Sequence, residues 1–419
     1  MPNSRRCGPN AGPDHFAIAV SIRHIVCVAW LAVAVLTGCA QPAPQAPVAP
    51  PAAVVTPVPL ADAVANAANT VFKTASANVP PGGPRQVVVI DPLVNGVTGE
   101  QTAATQQIQD RIVALAQASY PQFDIEPFTA AAVAKGPDVM VGTFTPVNAQ
   151  GQTAGTREGF RFCLVMVNLS AGRTIAKGVA RAQMAGVNAT PIGFFRDSPA
   201  WTSDANIKSY IDTCQATKVG DPISPVYVNG IVTAAIISEA INAYDANRYQ
   251  QALELYQTAA RTPAGGQLRV YNGLYLVNWK LNRTGPATEA FGRMVEYGLR
   301  NRSLGVKILF RPGSTALDPS QASPYDMWLQ QIAQHSVSAG SCLQVTGNSS
   351  PTGSAAINDQ LSQLRADYVM QRLETDQPAL RGHVIATGVG SRNNLIGTGA
   401  DDLSDALDRR VEFKVLPSC

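Results

Sequence analysis

Histidine, aromatic residues and charge are all scarce in this chain of 419 residues. It has four histidines, 6% aromatic and 15% charged residues, and a formal net charge of only +3. So small a charge gives no long-range attraction for nucleic acid, and few rings are available to stack on bases. The one long apolar run, twelve residues at 25–36, is shorter than the roughly 20 residues that cross a bilayer as a helix. We therefore expect neither a nucleic-acid-binding protein nor a polytopic membrane protein.

The apolar run follows an arginine-containing N-terminal segment, which is the order found in a secretory signal peptide. It leads into Leu36-Thr37-Gly38-Cys39, which resembles the lipobox of bacterial lipoproteins. The resemblance implies that residues 1–38 are removed and that Cys39 carries the acyl chains that anchor the protein. Ala40 after the cysteine implies, by the same resemblance, the outer membrane with the protein facing the periplasm. The alternative is an ordinary signal peptide with an incidental cysteine.

Four of the seven cysteines remain when positions 7, 27 and 39 are assigned to the signal peptide and the lipid anchor. They are Cys163, Cys214, Cys342 and Cys419. An even number in an oxidising compartment predicts disulfides, and pairing the first with the second and the third with the fourth keeps each bridge inside one predicted domain. A zinc site of four thiolates is the competing hypothesis, but no C-x2-C spacing is present. Since the mature chain keeps only two histidines, we expect no metal, no cofactor and no Ser-His-Asp triad.

The length predicts two or three domains. Residues 39–60 are rich in proline and alanine and carry no charge, which predicts an extended tether behind the lipidated cysteine. From 61 to 220 short β-branched runs alternate with helical periodicity. Gln86–Ile90 is typical of a buried strand, residues 100–119 of a helix, and 160–168 with 174–179 of a hairpin. This pattern predicts a small α/β layer domain.

Two weaker resemblances concern the part of the chain before residue 300. PDVMVGTF followed by RFCLVMVNLSAGRTIAKG resembles the α/β domain of envelope lipoproteins such as CsgG, FlgO and LpoB, over about 100 residues. Residues 228–300 are predicted to be helical, and the spacing of Ala252 and Tyr256 recurs at Ala287 and Phe291, which resembles tetratricopeptide repeats. Since about two repeats are too few for an independent solenoid, these helices should pack on a neighbouring domain. Residues 61–300 are a possible platform for an envelope protein partner.

The segment 304–419 predicts strands and helices in the order β-α-β-α-β-β. Its second helix carries Ile357, Leu361, Leu364 and Tyr368 on one stripe, and its last strand alternates Val411, Phe413 and Val415 inward. The fold class predicted for the whole chain is therefore α+β and multidomain: an N-terminal α/β layer domain, a short helical repeat segment, and a C-terminal two-layer sandwich.

This C-terminal segment resembles the OmpA-like peptidoglycan-binding family across about 115 residues. The matching pieces are Phe310-x-x-Gly313-Ser314, Gly347-x-x-x-x-x-Gly353-Ser354, Asn358-x-x-Leu361-Ser362-x-x-Arg365-Ala366-x-x-Val369, Gly388-x-Gly390 and Asp408-Arg409-Arg410-Val411-Glu412. Members of the family hold the diaminopimelate of the peptidoglycan stem peptide. The resemblance assigns peptidoglycan binding to Ser350, Asn358, Ser362, Arg365 and Arg410.

Binding diaminopimelate calls for a fixed carboxylate for its ammonium and a planar guanidinium for its carboxylate. Arg365 supplies the guanidinium, on a helix where Asn358 and Ser362 can hold the loop. The family's Gly-His-Thr-Asp becomes Gly347-Asn348-Ser349-Ser350, so that Ser350 stands where the family places its Asp. A neutral hydroxyl in place of a carboxylate implies a loss of about tenfold in affinity. The alternative for Arg365 is an ion pair with Asp359 or Asp367 on its own helix.

These observations favour a non-enzymatic outer-membrane lipoprotein that binds or senses peptidoglycan and links the cell wall to the outer membrane. An envelope assembly factor or activator of a cell-wall synthase that no longer binds peptidoglycan strongly is the alternative. A wall-degrading enzyme ranks last, because no feature of the sequence selects a catalytic pair of carboxylates.

Overall fold

Short β-branched runs and amphipathic segments build two sheets with helices against them. The computed structural model describes residues 56–419 except 78, 81, 202, 303, 319–323, 398 and 400–404. The predicted signal peptide at 1–38, Cys39 and most of the predicted tether at 39–60 lie outside the described residues. The predicted domain boundaries at 61–220, 228–300 and 304–419 stay predictions; residues Ala53–Cys419 form one compact unit.

The described residues form the following elements. The helices are α1 (Leu60–Ser76), α2 (Ala103–Ser119), α3 (Ala130–Val133), α4 (Gly193–Asp197), α5 (Ala205–Gln215), α6 (Pro225–Asp245), α7 (Tyr249–Ala260), α8 (Leu268–Lys280), α9 (Thr284–Arg300), α10 (Tyr325–Ser338) and α11 (Ala355–Asp376). The strands are β1 (Gln86–Ile90), β2 (Val94–Asn95), β3 (Phe123–Glu126), β4 (Asp138–Val147), β5 (Gly159–Asn168), β6 (Arg173–Gln183), β7 (Leu304–Leu309), β8 (Cys342–Gly347), β9 (Val384–Gly388) and β10 (Arg410–Leu416). This content confirms the predicted α+β class at the level of mixed sheets and helices.

The first sheet has the order β3-β1-β4-β5-β6, with β2 beside β4. Its first three strands are parallel, and β4, β5 and β6 pair antiparallel. The predicted strand at 86–90 and the predicted hairpin are confirmed. Alternate side chains of β1 and β4 enter different cores: Val88 and Met140 pack with α1 and α2, whereas Val89 and Val139 pack with α5 and α6. The sheet is thus covered by helices on both faces.

Helix α1 is not among the predicted elements. Its buried residues recur every three or four positions, which gives it one apolar face against the sheet. They are Leu60, Ala63, Val64, Ala67, Ala68, Val71, Phe72 and Ala75. Most of them are alanine or valine, which are also common in the tether, but the helix contains no proline.

Helices α6 to α9 confirm that residues 228–300 are helical, although α6 begins earlier, at Pro225. Among the described residues, α6 is the one helix long and apolar enough to suit a bilayer, and most of its apolar window is buried inside the protein. The resemblance to tetratricopeptide repeats stays a prediction.

The C-terminal module, residues 304–419, follows the predicted order with β7, α10, β8, α11, β9 and β10. Its strands are arranged β7-β10-β8-β9. Residues 199–201 extend this sheet at β7, because Trp201 N donates to Gly305 O at 2.7 Å and Lys307 N donates to Pro199 O at 2.7 Å. Helix α10 packs on α8 and α9 through Trp328, whose indole stacks on Phe291. The expected packing of the helices on a neighbouring module is thus confirmed.

Both predicted disulfides are present. Cys163 of β5 is bonded to Cys214 of α5, which fixes this helix to the first sheet. Cys342 at the start of β8 is bonded to Cys419. The bridges span 51 and 77 residues, and in the chain-entropy model each stabilises the fold by about 4 kcal/mol.

Candidate functional site

Four of the five residues assigned to peptidoglycan binding lie around the first half of α11. Ser350 is in the loop after β8, and Asn358, Ser362 and Arg365 lie at positions i, i+4 and i+7 of the helix, which share one face. All four are buried. The structure therefore brings them to one place, the candidate site.

The apolar stripe predicted for α11 is wrong. Ile357 and Leu364 are 62% and 47% exposed, whereas the buried face carries Asn358, Ser362 and Arg365 at its first half. Only the second half of that face is apolar, with Val369 and Leu373 in the core. Polar side chains replace apolar ones where the helix meets the loops after β8 and β9, because these loops offer backbone groups to pair with.

Two glycines let the strands approach α11 this closely. A Cβ at Gly347, the last residue of β8, would lie 1.9 Å from the carbonyl oxygen of Ser362. A Cβ at Gly388, the last residue of β9, would lie 2.4 Å from the backbone nitrogen of Gln363. Both contacts are far inside van der Waals distance, so the helix can sit over these strand ends only if they are glycine.

Arg365 is completely buried and connects two loops. Its Nε donates to Ser314 O at 3.0 Å, its Nη2 to Arg311 O at 3.0 Å, and its Nη1 to Asn348 O at 3.1 Å. The guanidinium also lies 5.2 Å from the centre of the Phe310 ring. The carboxylates proposed as its alternative partners have other contacts: Asp359 pairs with Arg392, and Asp367 accepts from Gln363. Arg365 thus places a fixed positive charge under the loop that carries Ser350.

Ser362 connects the helix to the loop after β9. Its hydroxyl donates to Asp359 O at 2.9 Å and accepts from Gly390 N at 2.8 Å. Gly390 O in turn accepts from Ser349 N at 2.9 Å. Through Gly390, Ser362 therefore holds the loop that carries Ser350, as the sequence predicts.

Two buried polar atoms at this place have no hydrogen-bond partner among the described residues. They are Oδ1 of Asn348 and Oγ of Ser349, in side chains that are 0% and 1% exposed. Buried polar atoms are paired in the great majority of cases, and each exception calls for an explanation such as a ligand or an ion. In the sequence, Asn348 and Ser349 stand out only as replacements of the family's His and Thr. The signal that marks them is two adjacent polar residues directly after a buried strand.

Arg410 does not join this group. Its Nε pairs with Glu412 at 2.7 Å, and its Nη atoms donate to Leu407 O and Asn393 O. Its guanidinium carbon lies 6.0 Å from the ring centre of Trp201. Because side chains alternate along a strand, Arg410 points away from the face on which Val411 enters the core.

Among the described residues, one group of side chains has metal-ligating atoms close together: Cys342, His383 and Cys419. His383 Nδ1 lies 3.0 Å from Cys419 Sγ and 3.9 Å from Cys342 Sγ. The two sulfurs are bonded to each other, so they are not available as thiolates, which are the form that binds metal.

A second buried polar cluster lies at the end of β1. The carboxylate of Asp91 accepts from the hydroxyl of Tyr227 at 2.9 Å. Burial raises the pKa of Asp91 to about 7, against the hydrogen bond from Tyr227 and the charge of Arg269, which lower it. The cavity beside them, about 30 Å³, has room for a water molecule but not for a larger ligand.

No family model and no curated protein matches the chain. Among solved structures it is similar to the peptidoglycan-associated lipoprotein from Burkholderia pseudomallei, at 24% identity over 26% of this chain and 89% of that one, with a TM-score of 0.24. It is also similar to the cell wall anchor of the T6SS from Pseudomonas aeruginosa, at 23% identity over 30% and 96% of the two chains, with a TM-score of 0.23. A third similar structure, at 18% identity over 26% and 73% with a TM-score of 0.21, is the OmpA-like domain of FopA1 from Francisella tularensis subsp. tularensis SCHU S4. Likeness at this level assigns neither a family nor a function.

Proposed function

We propose that this chain is a non-enzymatic lipoprotein of the outer membrane that binds the peptidoglycan stem peptide at the candidate site. The observation that carries the proposal is the pair of buried atoms on Asn348 and Ser349 that lack a partner among the described residues, next to Ser350 and above the fixed charge of Arg365. A ligand with hydrogen-bond donors would satisfy these atoms, and an anionic group on it would be attracted by the guanidinium.

Diaminopimelate offers both kinds of group, an ammonium and carboxylates. The amide oxygen of Asn348 and the hydroxyls of Ser349 and Ser350 can accept from the ammonium, while Arg365 serves the carboxylate. Neutral acceptors replace the family's carboxylate, and a hydrogen bond to a neutral group contributes about 0.5–1.5 kcal/mol against about 1.5–3 for a charged one. Binding is therefore expected to be weaker than with an Asp at position 350.

The remaining parts of the proposal concern attachment and partners. Acyl chains on Cys39 hold the protein at the outer membrane, and the segment behind Cys39 places the folded part in the periplasm. Residues 61–300 serve as the platform for an envelope protein. In this arrangement the chain connects the wall to the outer membrane.

Cosedimentation of the purified full chain with isolated sacculi tests the wall-binding step. Ser349→Ala is the sharpest variant, because it removes an oxygen that has no partner in the described part of the free protein. It should leave the free energy of unfolding unchanged or slightly higher, yet weaken binding by about 2- to 10-fold.

Arg365→Ala should remove most binding, whereas Ser350→Asp should tighten it several-fold. Arg372→Ala, seven residues further along α11 and paired with Asp326, is the matched control that should bind normally.

Two results would contradict the proposal. Normal binding by both Ser349→Ala and Arg365→Ala would place the wall contact elsewhere. Failure of the unaltered chain to cosediment with sacculi would favour the alternative of an assembly factor or wall-synthase activator, to be identified by mass spectrometry of proteins retained with the chain.

A further inference from the structure

The connection between β4 and β5, residues 148–158, reaches from the first sheet to the C-terminal module. Arg157 of this connection is only 5% exposed. Its guanidinium donates within its own loop to Gly155 O and Thr153 O, and its Nη2 also donates to Asn394 O at 2.8 Å. Asn394 lies 237 residues further along the chain, in the loop after β9. Burying a guanidinium costs free energy unless its donors are hydrogen-bonded. The planar group of Arg157 therefore fixes the position of the Asn394 carbonyl that it binds.

Asn394 continues this contact to the candidate site. In the orientation of its amide that satisfies both of its atoms, the side-chain nitrogen of Asn394 donates to Ser391 O and to Ser349 O, both at 3.0 Å. Ser349 is the residue whose buried hydroxyl finds no partner within the described ranges. Arg157 is therefore separated from the candidate site by a single residue.

The neighbouring residues of the same loop are fixed from another side. The buried carboxylate of Asp408 accepts from the backbone nitrogens of Leu395, Ile396 and Gly397, at 2.6, 3.1 and 2.7 Å. Asp408 thus holds positions 395–397 from within the module. Arg157, from the first sheet, holds position 394, whose side chain contacts Ser349.

We infer that Arg157 is a positioning residue of the candidate site: it holds Asn394, which holds Ser349, so that the affinity for the stem peptide depends on the conformation of the loop at 148–158. The inference rests on the proposed function only for the identity of the ligand. The contact between Arg157 and Asn394 is independent of it. A partner that alters this loop will alter wall binding, and wall binding will alter the affinity for that partner by the same factor, because coupling between sites is reciprocal.

Hydrogen exchange of the unliganded full chain tests the contact without any ligand. Arg157→Ala should speed exchange of the backbone amides at 347–353 several-fold and leave exchange in the core of the first sheet unchanged. Arg157→Lys should recover part of the protection, because an ammonium keeps the charge but not the planar fork. Arg173→Ala is the matched control, since this arginine at the start of β6 donates to Gly220 O instead and not to the loop at 148–158.

A double-mutant cycle separates positioning from a general loss of stability. In an Asn394→Ala background, Arg157→Ala should add little to the exchange at 347–353, because the link from Asn394 to Ser349 is already removed. Independent, additive effects of the two substitutions would overturn the inference, and so would unchanged exchange in Arg157→Ala or an equal effect of Arg173→Ala.

Cosedimentation with purified sacculi then measures the consequence for binding. Arg157→Ala should bind about 10- to 100-fold more weakly than the unaltered chain, as expected for losing a hydrogen bond to a charged group. Normal binding by a variant whose exchange at 347–353 is altered would overturn the positioning role. If the unaltered chain itself does not bind sacculi, the proposed function fails, while the exchange data alone still decide whether Arg157 controls the site.

Discussion

Replacing Asp91 by asparagine should make the protein more stable at neutral and alkaline pH. Asp91 is 5% exposed at the end of β1, and its carboxylate accepts a hydrogen bond from Tyr227. Asparagine keeps an oxygen to accept this bond but carries no charge. The substitution therefore removes the cost of burying a carboxylate and leaves the packing nearly unchanged.

The magnitude follows from the pKa of Asp91, which burial raises from 3.8 to about 7 in the folded protein. A shift of about 3 units corresponds to about 4 kcal/mol. Since the folded state binds the proton more tightly than the unfolded chain, this group favours folding most below about pH 4, and its contribution is lost as the pH rises to about 7. The asparagine of the variant would resemble the protonated carboxyl at every pH. The variant should thus match the unaltered protein near pH 4 and exceed it by about 4 kcal/mol at pH 8.

Urea unfolding at a series of pH values between 4 and 8 measures this difference. Asp110→Asn is the control, because Asp110 is exposed on α2 and its replacement should leave the pH dependence as it is. Parallel stability curves for Asp91→Asn and the unaltered protein across this range would refute the reasoning, since they would mean that Asp91 titrates alike in the folded and unfolded states.

Two further predictions concern the anchor and the contact between modules. Cys39→Ala should leave the protein without lipid and released from membranes, as measured by labelling with palmitate and by detergent partitioning. A variant that stays in the detergent phase would contradict the prediction that Cys39 carries the lipid anchor. Lys307→Met should destabilise the fold by about 3–5 kcal/mol in urea unfolding, because it leaves Glu100 charged and buried without its partner Lys307. Adding Glu100→Leu should recover most of that loss, and a double variant as unstable as Lys307→Met would contradict this account.

Local patterns in the sequence predict much of the fold. The hairpin of β5 and β6 is visible in sequence because two β-branched runs flank a short turn at Gly172, which adopts a positive φ of 61°. Helix α1 is missed although it differs from the tether before it, because it contains no proline, carries Asp62 and Lys73, and has buried residues at helical spacing.

The wrong prediction of an apolar stripe on α11 has a different origin. Ile357 and Leu364 suggest an apolar face, yet the helix turns Asn358, Ser362 and Arg365 inward because backbone groups of two loops pair with them. Arg410, by contrast, could have been separated from the site in advance. The alternation that sends Val411 into the core sends its neighbour to the other face of the sheet.

What no local pattern could supply is the way distant segments complete the candidate site. Arg365 and Ser350 are 15 residues apart and belong to one resemblance, whereas Arg157 reaches Asn394 across 237 residues and two modules. Such a contact depends on how the modules pack, since neither residue has a distinctive neighbourhood in the sequence. The same packing gives the proposed function its physical basis. If the candidate site binds peptidoglycan as proposed, the contact from Arg157 to Asn394 would couple that binding to whatever contacts the loop at 148–158.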